Sequence, residues 1–423
     1  MEDLLHLSLI WGGVLIASFL AERTKLTPVL YFLAFGAVMV NVGWLPEEST
    51  PFIKGFSEIG IILIMFALGF EENSGKFVRS IKRSWGIALF GALAPFLTAY
   101  YSAIAFWDNT SLAIMCGLAM TATAVSLTMV SLRSERLHTT PAATGIMTSA
   151  VLDDIGSLVM VAILVPVATG GEALTLVEIQ AIVAKAVLFF AVVTAIGLWV
   201  LPHDTDTGLL RRIPFIRSYG IRHALSFSRG EKMTLIILLV ALVISLIAFY
   251  FGFHPAVGAY MAGLILKDEY FRIDSLDEAD RYEDTKKIID DVAFSWIGPV
   301  FFVELGTKLV FDAEIFFSVI EETAILTSGL LIAQVLSAGL AARYTAGFNW
   351  SESVMIGFGM LGRAELAFVV MDIGYVQNAI LTTEAFYTLM FTAFFLNIAV
   401  PISIRLWKPY FTGEKQFGFL TGS

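Results

Sequence analysis

Long apolar runs recur along nearly the whole of this chain, and a run of about 20 such residues matches the hydrocarbon thickness of a bilayer. With 57% hydrophobic and only 15% charged residues over 423 positions, the sequence is too apolar for a large soluble domain. In lipid each backbone N–H and C=O must be satisfied within its own segment, so each run is expected to be a helix. The fold class that follows is an all-α polytopic membrane protein. Thirteen candidate spans are read at 4–21, 27–43, 56–71, 83–106, 110–132, 142–169, 175–201, 232–251, 254–267, 289–312, 321–346, 352–377 and 384–407.

Lys and Arg alternate between the loops in step with that count, as the bias of basic residues toward the cytoplasmic face requires. One side holds Arg23 and Lys25, Lys76 to Arg83, Arg133 and Arg136, the loops 202–231 and 268–288, Arg343, and the tail from Arg405. The other side has Lys54 and Lys308. An odd number of spans then places the N-terminus outside and the C-terminus in the cytoplasm, in what is expected to be a bacterial inner membrane. The opening MEDLLHLSLIWGG is acidic where a secretory leader is basic, so the first run reads as a retained helix. The net charge of -10 carries no nucleic-acid footprint, and the single cysteine, Cys116, excludes a disulfide framework within one chain. His203 and His223, in the first long loop, are left without a role.

Two segments recur seven spans apart. Pro28 is followed eight residues on by Gly36, and Pro255 eight residues on by Gly263; FSEIGIILIMFALG from Phe56 is echoed by FSWIGPVFFVELG from Phe294. An odd offset means that the second copy crosses the membrane in the opposite sense, the arrangement of secondary transporters with a site near the midplane. The same offset pairs the fifth span with the twelfth. The fifth carries GLAMTATAVSLTMV, rich in small and hydroxyl residues, and the twelfth carries GFGMLGRAELAFVV, with three glycines, Arg363 and Glu365. Glycine weakens a helix and Ser or Thr can rebond the freed backbone, so inverted repeats with discontinuous fifth and twelfth spans are expected. Arg363 and Glu365 are then either neutralisers of the broken helix ends or a structural pair, while Thr121, Thr123 and Ser126 either supply oxygens or only pack closely.

The sixth span carries SAVLDDIGS, with Asp153 and Asp154 adjacent at its centre. An ionised carboxylate there costs about 2.5–3.5 kcal/mol on insertion scales, which a structural role does not justify. Neighbouring residues of a helix point about 100° apart, so one acid can line a cavity while the other faces a partner helix. A carboxylate held away from bulk water must be neutralised, and a proton and a small monovalent cation compete for the same oxygens. The candidate cation and proton site is therefore Asp154, Asp153, Thr121, Thr123 and Ser149, with Arg363 and Glu365 in support. No cofactor is expected; Na+, K+ or Li+ and protons are cargo. Glu304 and Lys308, spaced i, i+4, are expected to pair with each other.

LIMFALGFE, TATAVSLT, SAVLDDIGSL, PVFFVELG and GMLGRAELAFVV together resemble the monovalent cation:proton antiporter-2 family, within the larger cation:proton antiporter superfamily. The resemblance covers about residues 5 to 407. It implies a thirteen-helix homodimeric antiporter with crossed, discontinuous helices 5 and 12, in which a core bundle, 83–169 and 321–407, moves as an elevator against a dimerisation bundle, 1–71 and 232–312, with 175–201 as a linking helix. It also implies that Asp154 is the principal ion and proton carrier, with Asp153 beside it and Thr121 or its neighbours supplying oxygens. One departure stands out. Members with two aspartates commonly carry a lysine in the eleventh span that pairs with the first, and Gln334 occupies that place here. A neutral amide cannot exchange a proton, so electroneutral exchange is expected unless Arg363 takes the lysine's part.

Na+/H+ exchange is the leading expectation and K+/H+ exchange its rival. A cation channel suits a buried acid pair less well than stepwise exchange. An intramembrane aspartyl protease needs its two acids on facing helices, and no GxGD occurs here.

Overall fold

The computed structural model describes residues 1–24, 26–71, 74–170, 176–197, 225, 232–266, 268–271, 281–363 and 365–415. His203, His223, most of the two long loops, and the side chains of Ser126 and Arg133 lie outside the described residues. The chain is all-helical: α1 Glu2–Thr24, α2 Pro28–Asn41, α3 Pro51–Glu71, α4 Ser74–Trp107, α5 Thr110–Ala119, α6 Val125–Ser134, α7 Pro141–Thr169, α8 Leu176–Ala195, α9 Met233–Tyr250, α10 Pro255–Ile265, α11 Arg281–Asp291, α12 Gly298–Gly306, α13 Ala313–Ser318, α14 Ile320–Thr345, α15 Trp350–Gly359, α16 Glu365–Asp372 and α17 Thr383–Phe411. All thirteen apolar segments are helical over most of their described length.

Local sequence sets many of the starts. Pro28, Pro141 and Pro255 stand in the first turns of α2, α7 and α10, where a missing N–H costs nothing. Asn109 accepts the Leu112 N–H at 3.0 Å to cap α5, and Asn349 closes a capping box with Glu352 to start α15. Seven helices among the described residues have the length and apolarity to cross a bilayer: α1, α3, Ser84–Trp107 of α4, α7, α9, α14 and α17. Leu235, Leu239, Leu242 and Leu246 on α9, and Ile325, Ile332, Leu336 and Leu340 on α14, are exposed at helical spacing. Such stripes belong against lipid tails, and the protein is an integral membrane protein.

Two compact units emerge. The first is Met1–Leu7, Ser49–Val78 and Leu174–Phe301; the second is Ser8–Glu48, Arg79–Ala173 and Phe302–Ser423. In the first, Phe66, Phe70, Phe271 and Tyr282 form an aromatic cluster, and Lys286 pairs with Glu71 at 3.5 Å. In the second, Lys308 pairs with the buried Glu304 at 3.6 Å, the i, i+4 contact that their spacing predicts.

The internal repeat reappears as one contact made twice. In the second unit α2 meets the end of α12 backbone to backbone: a Cβ on Gly36 would lie 2.1 Å from the Val303 carbonyl oxygen, and one on Gly306 2.3 Å from that of Leu33. In the first unit α3 meets α10 in the same way, with Gly69 at 2.0 Å from the Tyr260 oxygen and Gly263 at 2.4 Å from that of Phe66. Gly36 and Gly263 are the repeat-equivalent glycines eight residues after their prolines, and FALG and VELG supply the other two. Only glycine permits so close an approach.

The structure departs from the sequence reading at the tenth span. Its helix begins at Arg281, eight residues before the expected start, and passes through a π-helical turn at Val292–Trp296 into α12. The first turns, RYEDTKK, are too polar to register in a hydropathy window, so only the apolar portion was visible.

Candidate functional site

The second unit contains both interrupted spans. After α5 the Met120 N–H turns back to the Cys116 and Gly117 carbonyls, the chain extends through Ala122–Ala124, and α6 resumes at Val125. After α15 the Met360 N–H does the same to Ile356, and α16 resumes at Glu365. The two unwound stretches pair with each other: Thr123 and Arg363 form a single antiparallel bridge, and the Ala124 N–H donates to the Gly362 carbonyl at 3.0 Å. The discontinuous fifth and twelfth spans expected from composition, and the crossing that the family resemblance implies, are thus present.

A break inside a membrane leaves backbone groups that water does not reach, and each must find a partner. Thr128 Oγ1 lies 2.7 Å from the Gly359 carbonyl oxygen and 3.1 Å from that of Ala124, so one hydroxyl serves both breaks. Asn397, fully buried on α17, brackets Arg363: its Oδ1 accepts the Arg363 N–H at 3.0 Å, and its Nδ2 donates to the Arg363 carbonyl at 3.2 Å. Sequence reasoning missed Asn397, although a single amide within the apolar TAFFLNIAV was a visible signal.

Asp153 and Asp154 sit at the middle of α7, which starts at the Thr140 cap. Asp153 is 1% exposed, and its Oδ2 accepts from Thr123 Oγ1 at 2.8 Å. Its Oδ1 is buried with no hydrogen-bond partner. Asp154, turned about 100° around the helix, is half-buried. The pair therefore divides into an enclosed acid gripped by the crossing and a neighbour with partial access.

Among the described residues Arg363 is the largest fully buried side chain, and it makes no direct ion pair with Asp153. Its Nη2 donates to Gln334 Oε1 at 3.1 Å and its Nη1 to the Gly362 carbonyl at 3.3 Å. Gln334, from α14, donates through Nε2 to the Gly91 carbonyl of α4 at 3.0 Å. The amide thus holds the guanidinium against the crossing.

The remaining candidates are dispersed around this centre. Thr121 Oγ1 donates to the Gly117 carbonyl at 2.8 Å, and Ser149 Oγ to that of Gly145 at 2.7 Å; both are buried. A hydroxyl that has given its proton to a carbonyl keeps its lone pairs, so neither is disqualified as a cation ligand. Glu365 is half-buried and opens α16, where an acid complements the helix dipole. Among these residues the structure joins Thr123 to Asp153 and Arg363 to Gln334 by direct bonds. Chemically the assembly offers carboxylate and hydroxyl oxygens, a fixed positive charge, and an inner acid enclosed by protein.

Comparison with known proteins agrees with this geometry. Residues 12–407 match the family described as "Sodium/hydrogen exchanger, transmembrane". The chain is 27% identical over 368 residues to the probable Na(+)/H(+) antiporter GerT of Bacillus cereus, covering 86% of this chain and 87% of that one. It is 25% identical to the Na(+)/H(+)-K(+) antiporter GerN of the same organism, covering 96% of each. In fold it resembles the sodium proton antiporter MjNhaP1 of Methanocaldococcus jannaschii, with a TM-score of 0.67 at 16% identity over 96% of this chain and 99% of that one. An interrupted-helix crossing over a buried acid, with a family match across nearly the whole chain, leads to one conclusion: this protein belongs to the transmembrane sodium/hydrogen exchanger family.

Proposed function

We propose that this chain is a secondary active antiporter that exchanges one monovalent cation, Na+ in the first place, for one proton. The observation that carries the reading is the enclosed Asp153 beside the half-buried Asp154, directly under the helix crossing. In this reading Asp154 is the carrier. It holds either a proton or a metal ion, because a bare carboxylate does not cross the dry barrier. Asp153, Thr123, Thr121 and Ser149 supply further oxygens, and Glu365 supports the α16 end. A K+/H+ antiporter is the second reading, favoured by the likeness to GerN, which is described as exchanging K+ as well.

Alternating access would come from elevator movement of 83–169 with 321–407 against 1–71 with 232–312, linked by 175–201. The protein would act as a homodimer in a bacterial inner membrane, with its N-terminus outside.

Electroneutrality is the finer part of the proposal. A lysine beside Asp153 would itself give up and regain a proton during the cycle; a guanidinium does not. With Gln334 at that place and bonded to Arg363, Asp153 keeps or shares its proton through much of the cycle, and only Asp154 exchanges one proton for each cation. The deciding experiment is proton flux in proteoliposomes with Na+, K+ and Li+ added in turn, for the native chain and Asp154→Asn. Cation-dependent flux in the native chain and none in the variant is the expected result. Normal exchange by the variant overturns the carrier assignment.

A further inference from the structure

We infer that Ser157 Oγ is an additional ligand of the transported cation, acting with Asp153 Oδ1 and the Asp154 carboxylate; this rests on the antiporter reading above. Ser157 is 1% exposed on α7, and its hydroxyl has no hydrogen-bond partner. Asp153 Oδ1, four residues earlier, is likewise buried and without a partner. Two unsatisfied oxygens on one stretch of one helix are unusual, because buried polar atoms are almost always bonded.

The helical period sets them on adjoining sides of one turn. At about 100° per residue, Asp154 stands about 100° around the helix from Asp153, and Ser157 about 40°, between the two acids. The Cα–Cβ bond of a helical residue tilts toward the N-terminus, so the Ser157 hydroxyl leans back over the turn that carries both carboxylates.

Three other buried serines behave differently; Ser353, on α15, shares the lack of a partner but has no partnerless carboxylate oxygen four residues before it. Ser131, Ser149 and Ser245 each donate to the carbonyl four residues back, to Leu127, Gly145 and Ala241, at 2.9, 2.7 and 2.8 Å. Ser157 makes no such bond to Asp153. What sets Ser157 apart is the partnerless Asp153 Oδ1 one turn back on the same helix, so that two oxygens with unused lone pairs share one turn. An alkali cation prefers oxygen ligands, and a neutral hydroxyl adds one without adding charge, so this residue would set affinity and selectivity among Na+, Li+ and K+ rather than proton coupling.

The test uses the full chain purified in detergent and reconstituted in liposomes. Ser157→Ala and Ser157→Thr are compared with the native protein by NaCl-dependent thermal unfolding against choline chloride, and by half-saturating Na+ for exchange. Loss of one ligand is expected to raise half-saturation in Ser157→Ala on the order of tenfold, the equivalent of one good hydrogen bond, with maximal rate retained. The Thr variant is expected to restore it, and the selectivity between Na+ and K+ to change in the Ala variant alone. Stability in choline should be unchanged or higher, because an unsatisfied buried hydroxyl has been removed. Ser157→Cys, which keeps the side-chain volume and weakens the oxygen ligand, gives the same reading if the Ala variant fails to fold. Unaltered half-saturation, or lower stability in choline with unaltered cation dependence, overturns the inference. A native chain that responds to none of the three cations overturns the antiporter reading and this one with it. Normal exchange by Asp154→Asn beside a shifted Ser157→Ala overturns only the carrier assignment.

Discussion

Between α5 and α6 the chain leaves the helix just after a run of small residues; between α15 and α16 it does so after a glycine-rich run seven spans later. The backbones are treated alike at the two places, since each helix ends by turning its next N–H back onto its own last carbonyls. The side chains are not. The first break delivers a hydroxyl, Thr123, to Asp153, and is closed from within by Thr128 one turn on. The second delivers a guanidinium, Arg363, and is braced from outside by Asn397 of α17 and by Gln334 of α14. Repetition thus fixes geometry, while chemistry at the crossing comes from residues that differ between the copies: oxygens from one side, fixed positive charge from the other.

The largest test of that division is the acid beneath it. Asp154→Asn keeps the shape of the crossing and removes its titratable carrier, so exchange measured in proteoliposomes should be abolished while folding is retained. Next comes the fixed charge. Gln334→Lys places a proton-exchanging cation beside Arg363, and transport should become voltage-coupled by about 2.3 kcal/mol per 100 mV for each extra charge moved. An imposed potential that alters native exchange but not the variant's would reverse the assignment.

Smaller effects separate the two braces. Asn397→Ala leaves both the N–H and the carbonyl of Arg363 unpartnered in a dry interior, and should cost about 2 kcal/mol by thermal unfolding in detergent. Thr128→Val removes only a hydroxyl from two carbonyls, one of which, in Ala124, also accepts the Thr128 N–H at 3.4 Å, and should cost about 1 kcal/mol. If Thr128→Val proves the more damaging, the first break depends on its hydroxyl more heavily than the contacts indicate.

Much of this was legible in the sequence, for identifiable reasons. Bilayer thickness imposes a length on apolar runs, so the helical segments could be read directly, and seven-span periodicity exposed the repeat before any contact was known. The acid pair stood out because a carboxylate in lipid costs more than chance tolerates. Less legible were the points of interruption. Gly, Thr and Ser weaken a helix over many residues, and the register of the break depends on which carbonyls the opposite strand can satisfy. Asn397 escaped notice because its meaning lies in a partner 34 residues away.

By itself the chain's order of residues determined the all-helical class, the inverted repeat, and the placing of Asp153 and Asp154 in mid-span, since each follows from local hydropathy and helical period. Only the tertiary structure decided that Asp153 is enclosed while Asp154 is half open, that Arg363 binds Gln334, and that Ser157 is buried without a hydrogen-bond partner. Burial and hydrogen bonding are properties of neighbours brought from distant spans, and two adjacent aspartates with identical chemistry acquire different roles from what packs against them.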